Sequence, residues 1–245
     1  MTKPELWIFG DSYAEDNTKA KIRNSKHWDG VWNWPEEVTR IFNVENMGIS
    51  GCGPQTQFKY FKEMMDDREL EFCKDVNVLF FISNPYRFDF KFYETPFHQT
   101  YPIRFYGNKK DINLEAVWDY SKYDKFIKQY FNHVRIDPVQ EQEKYVSYLK
   151  THSKFFKKML VFNCFYSISD ELAQSLNDDK FCLINTPLTS VNTGPKHKWA
   201  VNHLSNKNHK IMYSMITGYF LKDQPVKFER FIDVVEKKYK NQLTR

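Results

Sequence analysis

Four short stretches of this chain carry side chains whose types could do chemistry together. Gly10-Asp11-Ser12-Tyr13 follows an apolar run and sets a serine on a tight turn. There its hydroxyl can be exposed, and its backbone N–H can help hold an oxyanion. Asn46-Met47-Gly48-Ile49-Ser50-Gly51 follows a second short run, and its glycines let the backbone approach a substrate oxygen. Ser83-Asn84-Pro85 ends the most apolar run of the chain and offers an amide donor. Asn202-His203-Leu204-Ser205 stands just before a helical stretch and supplies an imidazole. Serine is a poor nucleophile until a base takes its proton, and a tetrahedral oxyanion needs preorganised donors. These are the parts that acyl transfer requires.

Each residue also has a plainer reading. Ser12 can cap a helix. Asp11 reads as a partner for turn backbone groups rather than a catalytic acid. Gly48, Gly51 and Gly53 can serve only to permit positive φ, and Asn84 before Pro85 can simply end a strand. His203 can be an ordinary histidine at a helix entry.

The elements that must position these residues follow from apolar patterning. Glu5–Phe9 reads as a buried strand, and residues 13–33 as a polar, tryptophan-rich loop. Trp34–Phe42 opens with Pro35, Glu36 and Glu37, a helix start with acids in its first turn. Asn43–Met47 is a second strand, and Gln55–Asp66 a helix. Val76–Ser83 is apolar on both faces, as central parallel strands are. Met159–Asn163 and Phe181–Ile184 read as further core strands, with helices at 141–158, 169–176 and 205–221. Strands alternating with helices predict an α/β three-layer sandwich around a mostly parallel sheet, in one domain over 1–245. Residues 86–135 break the rhythm. They are crowded with Phe, Tyr and His and read as an insertion or lid over one end of the sheet, with helical content near 114–132.

Composition bounds the remaining options. A chain of 245 residues with 41% hydrophobic and 27% charged residues can bury a substantial core, which argues against disorder. No run reaches the length of a membrane span, and the N-terminal stretch has no signal-peptide pattern, so a cytoplasmic protein is expected. The four cysteines, Cys52, Cys73, Cys164 and Cys182, lack metal-ligand spacing and read as reduced, mostly buried thiols. His197, His203 and His209 have no accompanying Cys or carboxylate at zinc-ligand spacing. No GxxxxGK[ST] or GxGxxG motif supports nucleotide binding. Residues 196–245 hold 11 Lys and Arg against 4 Asp and Glu, which reads as a solvated basic helix face; nucleic acid is not the expected partner. Lys, Asn, Phe, Tyr and Ile all have AT-rich codons, so the aromatic excess is not by itself a binding signal.

Taken in order, the four stretches resemble the SGNH (GDSL-like) hydrolase family, from residue 5 to about 221 apart from the insertion. GDS after a strand and NxGxSG match well, while Ser83-Asn84-Pro85-Tyr86-Arg87 lacks the family's usual GxND and looks like a phage-type variant. The final block departs further, because Ala200 stands where members carry the Asp of DxxH. The resemblance implies Ser12 as nucleophile and His203 as general base. The Ser12 N–H, the Gly51 N–H and the Asn84 side chain would form the oxyanion hole. It implies a serine esterase without cofactor or metal, acting on an acylated small molecule or on the O-acetyl groups of a glycan. With the AT-rich composition, the phage-type block suggests a viral or bacterial source, and so a possible place in a virion. Ala200 and the insertion equally suit an SGNH-fold module without catalysis, serving as a binding or structural partner in a larger assembly such as a virus particle.

Overall fold

The computed structural model describes residues 2–15, 33–49, 52–69, 73–85, 88–91, 100–103, 137–191 and 204–232. Five strands make the central sheet: β1 (Glu5–Phe9), β2 (Asn43–Asn46), β3 (Val76–Ile82), β6 (Lys158–Asn163) and β7 (Phe181–Ile184). Their order is β2-β1-β3-β6-β7 and every pairing is parallel, so the expected α/β sandwich is present with a sheet parallel throughout. β4 (Phe88–Lys91) and β5 (Thr100–Ile103) form a separate antiparallel pair inside the region read as an insertion. The helical content expected near 114–132 lies outside the described residues.

The inner strands are apolar without alternation because both faces are covered. Leu6, Ile8, Leu79, Phe81, Leu160 and Phe162 face one way, and meet α1 (Trp34–Val38) and α5 (Asn206–Lys222). Trp7, Phe9, Val78, Phe80, Met159 and Val161 face the other way. They meet α2 (Pro54–Arg68), α3 (Pro138–Ser153) and α4 (Asp170–Leu176). All seven residues of β3 are buried. Such double coverage is what a parallel sheet requires, and full burial of each large side chain contributes roughly 1.5–3 kcal/mol. Ring stacking tightens both layers: Phe81 lies on Phe162 at 5.2 Å and Phe9 on Phe80 at 5.4 Å.

The helices start and stop where local chemistry dictates. Asp137 accepts from the N–H groups of Val139 and Gln140, and Pro138 opens α3, whereas 141–158 was expected from periodicity alone. The chain turns at Lys154, so Phe155 and Phe156 continue the apolar period outside the helix. α1 is only five residues, because a turn at Thr39–Phe42 feeds directly into β2. Among the described residues no helix is long and apolar enough to cross a membrane. Cys52, Cys73 and Cys164 are buried and Cys182 half-buried, and no disulfide joins any of the four.

Candidate functional site

The sheet order reverses direction between β1 and β3, with β2 added on one side and β6 and β7 on the other. In open parallel sheets the crevice at such a switch point, beyond the carboxyl ends of the strands, is where ligands bind. β1 ends there in Gly10-Asp11-Ser12, and β3 in Ser83-Asn84.

The turn after β1 is built by Asp11. Its Oδ1 accepts from the Tyr13 N–H at 3.2 Å, and its carbonyl accepts from Ala14 and Glu15 N–H at 2.9 and 3.1 Å. That is an Asx-turn, in which the side chain stands in for a turn of backbone. Asp11 therefore takes the capping role that its type also offered to Ser12. Ser12 is half-buried, and among the described residues neither its N–H nor its hydroxyl makes a hydrogen bond. Gly10 is required by close packing: a Cβ there would sit 2.7 Å from Ala14 Cβ and 2.8 Å from Phe81 Cβ.

The segment after β2 is laced onto that turn. The Asn46 side chain donates to the Ala14 carbonyl at 2.9 Å and accepts from the Gly48 N–H at 2.7 Å. The Ile49 N–H donates to the Gly10 carbonyl at 3.0 Å. A Cβ on Gly48 would meet the backbone of Ala14 and Glu15 at 2.7–2.8 Å, so this glycine serves close approach rather than a positive φ.

β3 delivers Ser83, fully buried, and Asn84, half-buried, followed by buried Pro85. The Ser83 hydroxyl lies 3.1 Å from Asp11 Oδ2 and 2.8 Å from the Cys52 carbonyl, and its one proton serves both acceptors. Its backbone N–H donates to Gln57 Oε1 at 3.2 Å. Spacing along the chain gave no hint of this junction. The available signal was Gln57 itself, a polar residue four and eight positions before buried Phe61 and Met65 on one face of α2.

A second polar cluster lies along the same edge, at β6 and β7. Gln142 of α3 donates to Asn163 Oδ1 at 2.7 Å, and Asn163 donates to Asn185 Oδ1 at 3.0 Å. Asn185 donates in turn to the Ile168 carbonyl and to Asp170 Oδ1. These are neutral amides tying α3 and α4 to the strand ends. Nearby, burial pushes the Tyr145 phenol up to about 12, with Glu141 adding to the rise, so it stays un-ionised at neutral pH.

His203, Gly51, Ser50, Arg87 and Ala200 lie outside the described residues. Lys158, the first residue of β6, bonds Asp223 and the Tyr219 carbonyl, so the carboxyl end of α5 lies at the amino edge of the sheet. The amino end of α5, capped by Ser205 and preceded by buried Leu204, therefore faces the edge that carries Ser12 and Asn84. In its first turn the buried Asn208 side chain donates to the Ile232 carbonyl at 2.7 Å and accepts from the Ile232 N–H at 3.0 Å, holding the returning chain against α5. No protein-family model matches the chain, and no curated protein matches it in sequence.

Proposed function

We propose that this protein is a serine esterase of SGNH type, removing O-acyl groups from an acylated small molecule or a glycan. Ser12 Oγ attacks the acyl carbon while His203 takes its proton, and the oxyanion is held by the Ser12 N–H, the Gly51 N–H and the Asn84 amide. The alcohol leaves with the proton from His203. Water, deprotonated by the same imidazole, then hydrolyses the acyl-enzyme and restores Ser12. The chemistry calls for no cofactor or metal. A glycan O-acetyl group as substrate rests on family analogy and on the aromatic residues of 86–135, whose rings suit sugar faces.

One observation carries the reading. Asp11 supplies the turn's own hydrogen bonds, which leaves the Ser12 hydroxyl and N–H uncommitted among the described residues, at the switch point and beside the strand end that bears Asn84. A serine present only as a cap would be engaged with the backbone.

Ala200 favours a second reading, a binding or structural module without catalysis. Loss of the orienting carboxylate in a Ser-His-Asp triad costs about 10⁴ in turnover, although a backbone carbonyl can orient an imidazole. A fluorophosphonate probe separates the two. Ser12 Oγ displaces fluoride at phosphorus only when its proton has an acceptor. Labelling of the wild type that disappears in Ser12→Ala and in His203→Ala is the expected result. A folded, monodisperse wild type that does not label would establish the module reading instead, with a virion or other assembly as the place to seek partners.

A further inference from the structure

Three candidate oxyanion donors are the immediate sequence neighbours of residues that meet in a single buried hydrogen-bonded junction. Asp11 precedes Ser12, Cys52 follows Gly51, and Ser83 precedes Asn84. Ser83 is at the centre. Its hydroxyl reaches Asp11 Oδ2 and the Cys52 carbonyl, while Gln57 fixes its backbone N–H. Asp11 and Ser83 are fully buried and Gln57 nearly so, so water cannot replace these bonds when one is lost. A buried serine side chain only two atoms long that bonds two other segments leaves little room for the strand ends to slide past one another.

We propose that Ser83 is a positioning residue for the oxyanion hole, holding the turn that carries Ser12 and the strand end that carries Asn84 in register with the chain at Cys52 through its hydroxyl. The inference deepens the esterase reading and rests on it. The residue touches no reacting atom and acts through the backbone on either side of the junction. Removal of its hydroxyl leaves the Cys52 carbonyl without this donor and loosens the Asp11 turn from β3. Donors that must meet an oxyanion at 2.7–3.1 Å tolerate little displacement, and a misplacement of about 1 Å can cost about 100-fold in rate.

The experiment measures fluorophosphonate labelling rates and p-nitrophenyl acetate turnover for the wild type, Ser83→Ala, Ser83→Thr and Asn163→Ala. In Ser83→Ala, labelling and kcat are expected to fall about 10–100-fold, with KM and the pH midpoint of the rate profile unchanged. The imidazole is untouched, so a shifted midpoint would indicate general disruption and overturn the proposal. Ser83→Thr keeps a hydroxyl on Cβ and is expected to recover most of the rate. Asn163→Ala removes an equally buried polar group from the other cluster of the same edge, and should lower the melting temperature while leaving labelling intact. Equal slowing in Asn163→Ala would mean that the edge responds to destabilisation as a whole, and would overturn the role given to Ser83. Wild-type labelling together with full-rate labelling of Ser83→Ala would overturn the inference and leave the esterase reading standing. A wild type that does not label removes both. Should Ser83→Ala not fold, Gln57→Met tests the same junction through the Ser83 N–H, with slowing expected and an unchanged rate overturning it.

Discussion

At the amino edge of the central sheet, charge sits in the open. Glu5 pairs with Arg68, Lys150 with Asp178 and Lys158 with Asp223, and each of these side chains keeps about a sixth or more of its surface in water. At the carboxyl edge of the same strands, Asp11 and Ser83 are fully buried and bonded to each other and to backbone, and the fully buried Asn163 is bonded to the side chains of Gln142 and Asn185. The contrast is energetic. An exposed ion pair that loses one member is rehydrated at little cost, whereas a buried donor or acceptor that loses its partner carries the desolvation penalty, about 1–3 kcal/mol for each group. Polar groups are placed in the dry edge at a cost in stability, which is reasonable only where geometry matters more than the last increment of folding energy. That edge is also the switch point.

Backbone packing offers the harshest test of the contrast. Gly10→Ala would set a Cβ against Ala14 Cβ and Phe81 Cβ, and Gly48→Ala one against the Ala14 and Glu15 backbone, all at 2.7–2.8 Å. Neither neighbour is the far end of a flexible side chain, so relief requires moving the turn or the strand. Overpacking of this kind costs about 1–3 kcal/mol and at times more. Urea denaturation should give a loss at or above the top of that range for each variant. A loss under about 0.5 kcal/mol would mean that the carboxyl edge is looser than its packing implies.

Next in size is Asp11→Ala. It strips the acceptor from the buried Tyr13 N–H and one of the two acceptors from the Ser83 hydroxyl, which keeps the Cys52 carbonyl, and should cost about 1–3 kcal/mol at neutral pH. Asn208→Ala is comparable in kind, since both the N–H and the C=O of Ile232 lose their partner. It should cost about 1–3 kcal/mol. Its signature is local, with amide exchange rising at Ile232 ahead of the sheet. Uniform loss of protection would assign the clasp to global stability instead.

Much of the scaffold was legible in the sequence, and the reasons are specific. Val76–Ile82 is apolar at nearly every position because both its faces are covered, and Glu5–Phe9 and Phe181–Ile184 match their expected bounds for the same reason. Boundaries drifted where a cap competed with periodicity: Asp137 and Pro138 set the start of α3 three residues before the apolar pattern suggested. The division of labour within Gly10-Asp11-Ser12 was half visible, since an Asp can be read as a turn partner from its type alone. The junction at Ser83 was not. Its bonds span 72 residues to Asp11 and 31 to Cys52, and nothing in local spacing encodes such pairings. What the sequence does hold are polar residues at positions that the apolar pattern assigns to the core, Gln57 in α2 and Asn163 at the end of β6, and these became informative only once topology brought the strand ends together.

The smallest expected effect belongs to the open edge, and it has a pH sign. Burial works to raise the Asp178 carboxyl, but its bond with Lys150 and the N–H groups of Lys180 and Phe181 outweigh that and hold it below its ordinary value of 3.8. A carboxyl depressed in the folded state contributes stability above its unfolded value and loses that contribution as pH falls through the folded one. More than half of the Asp178 side chain is exposed, so solvent screening keeps the Lys150 pair to less than about 1 kcal/mol. Lys150→Met should therefore cost under about 1 kcal/mol at pH 7, less at high salt, and progressively less as the pH falls below the ordinary carboxyl value of 3.8. Asp11→Ala should be less sensitive to salt, because the Tyr13 N–H and the Ser83 hydroxyl that Asp11 accepts from are neutral donors in a dry site. A salt-sensitive Asp11 variant beside a salt-insensitive Lys150 variant would invert the comparison between the two edges, and with it the claim that buried geometry is concentrated where Ser12 and Asn84 stand.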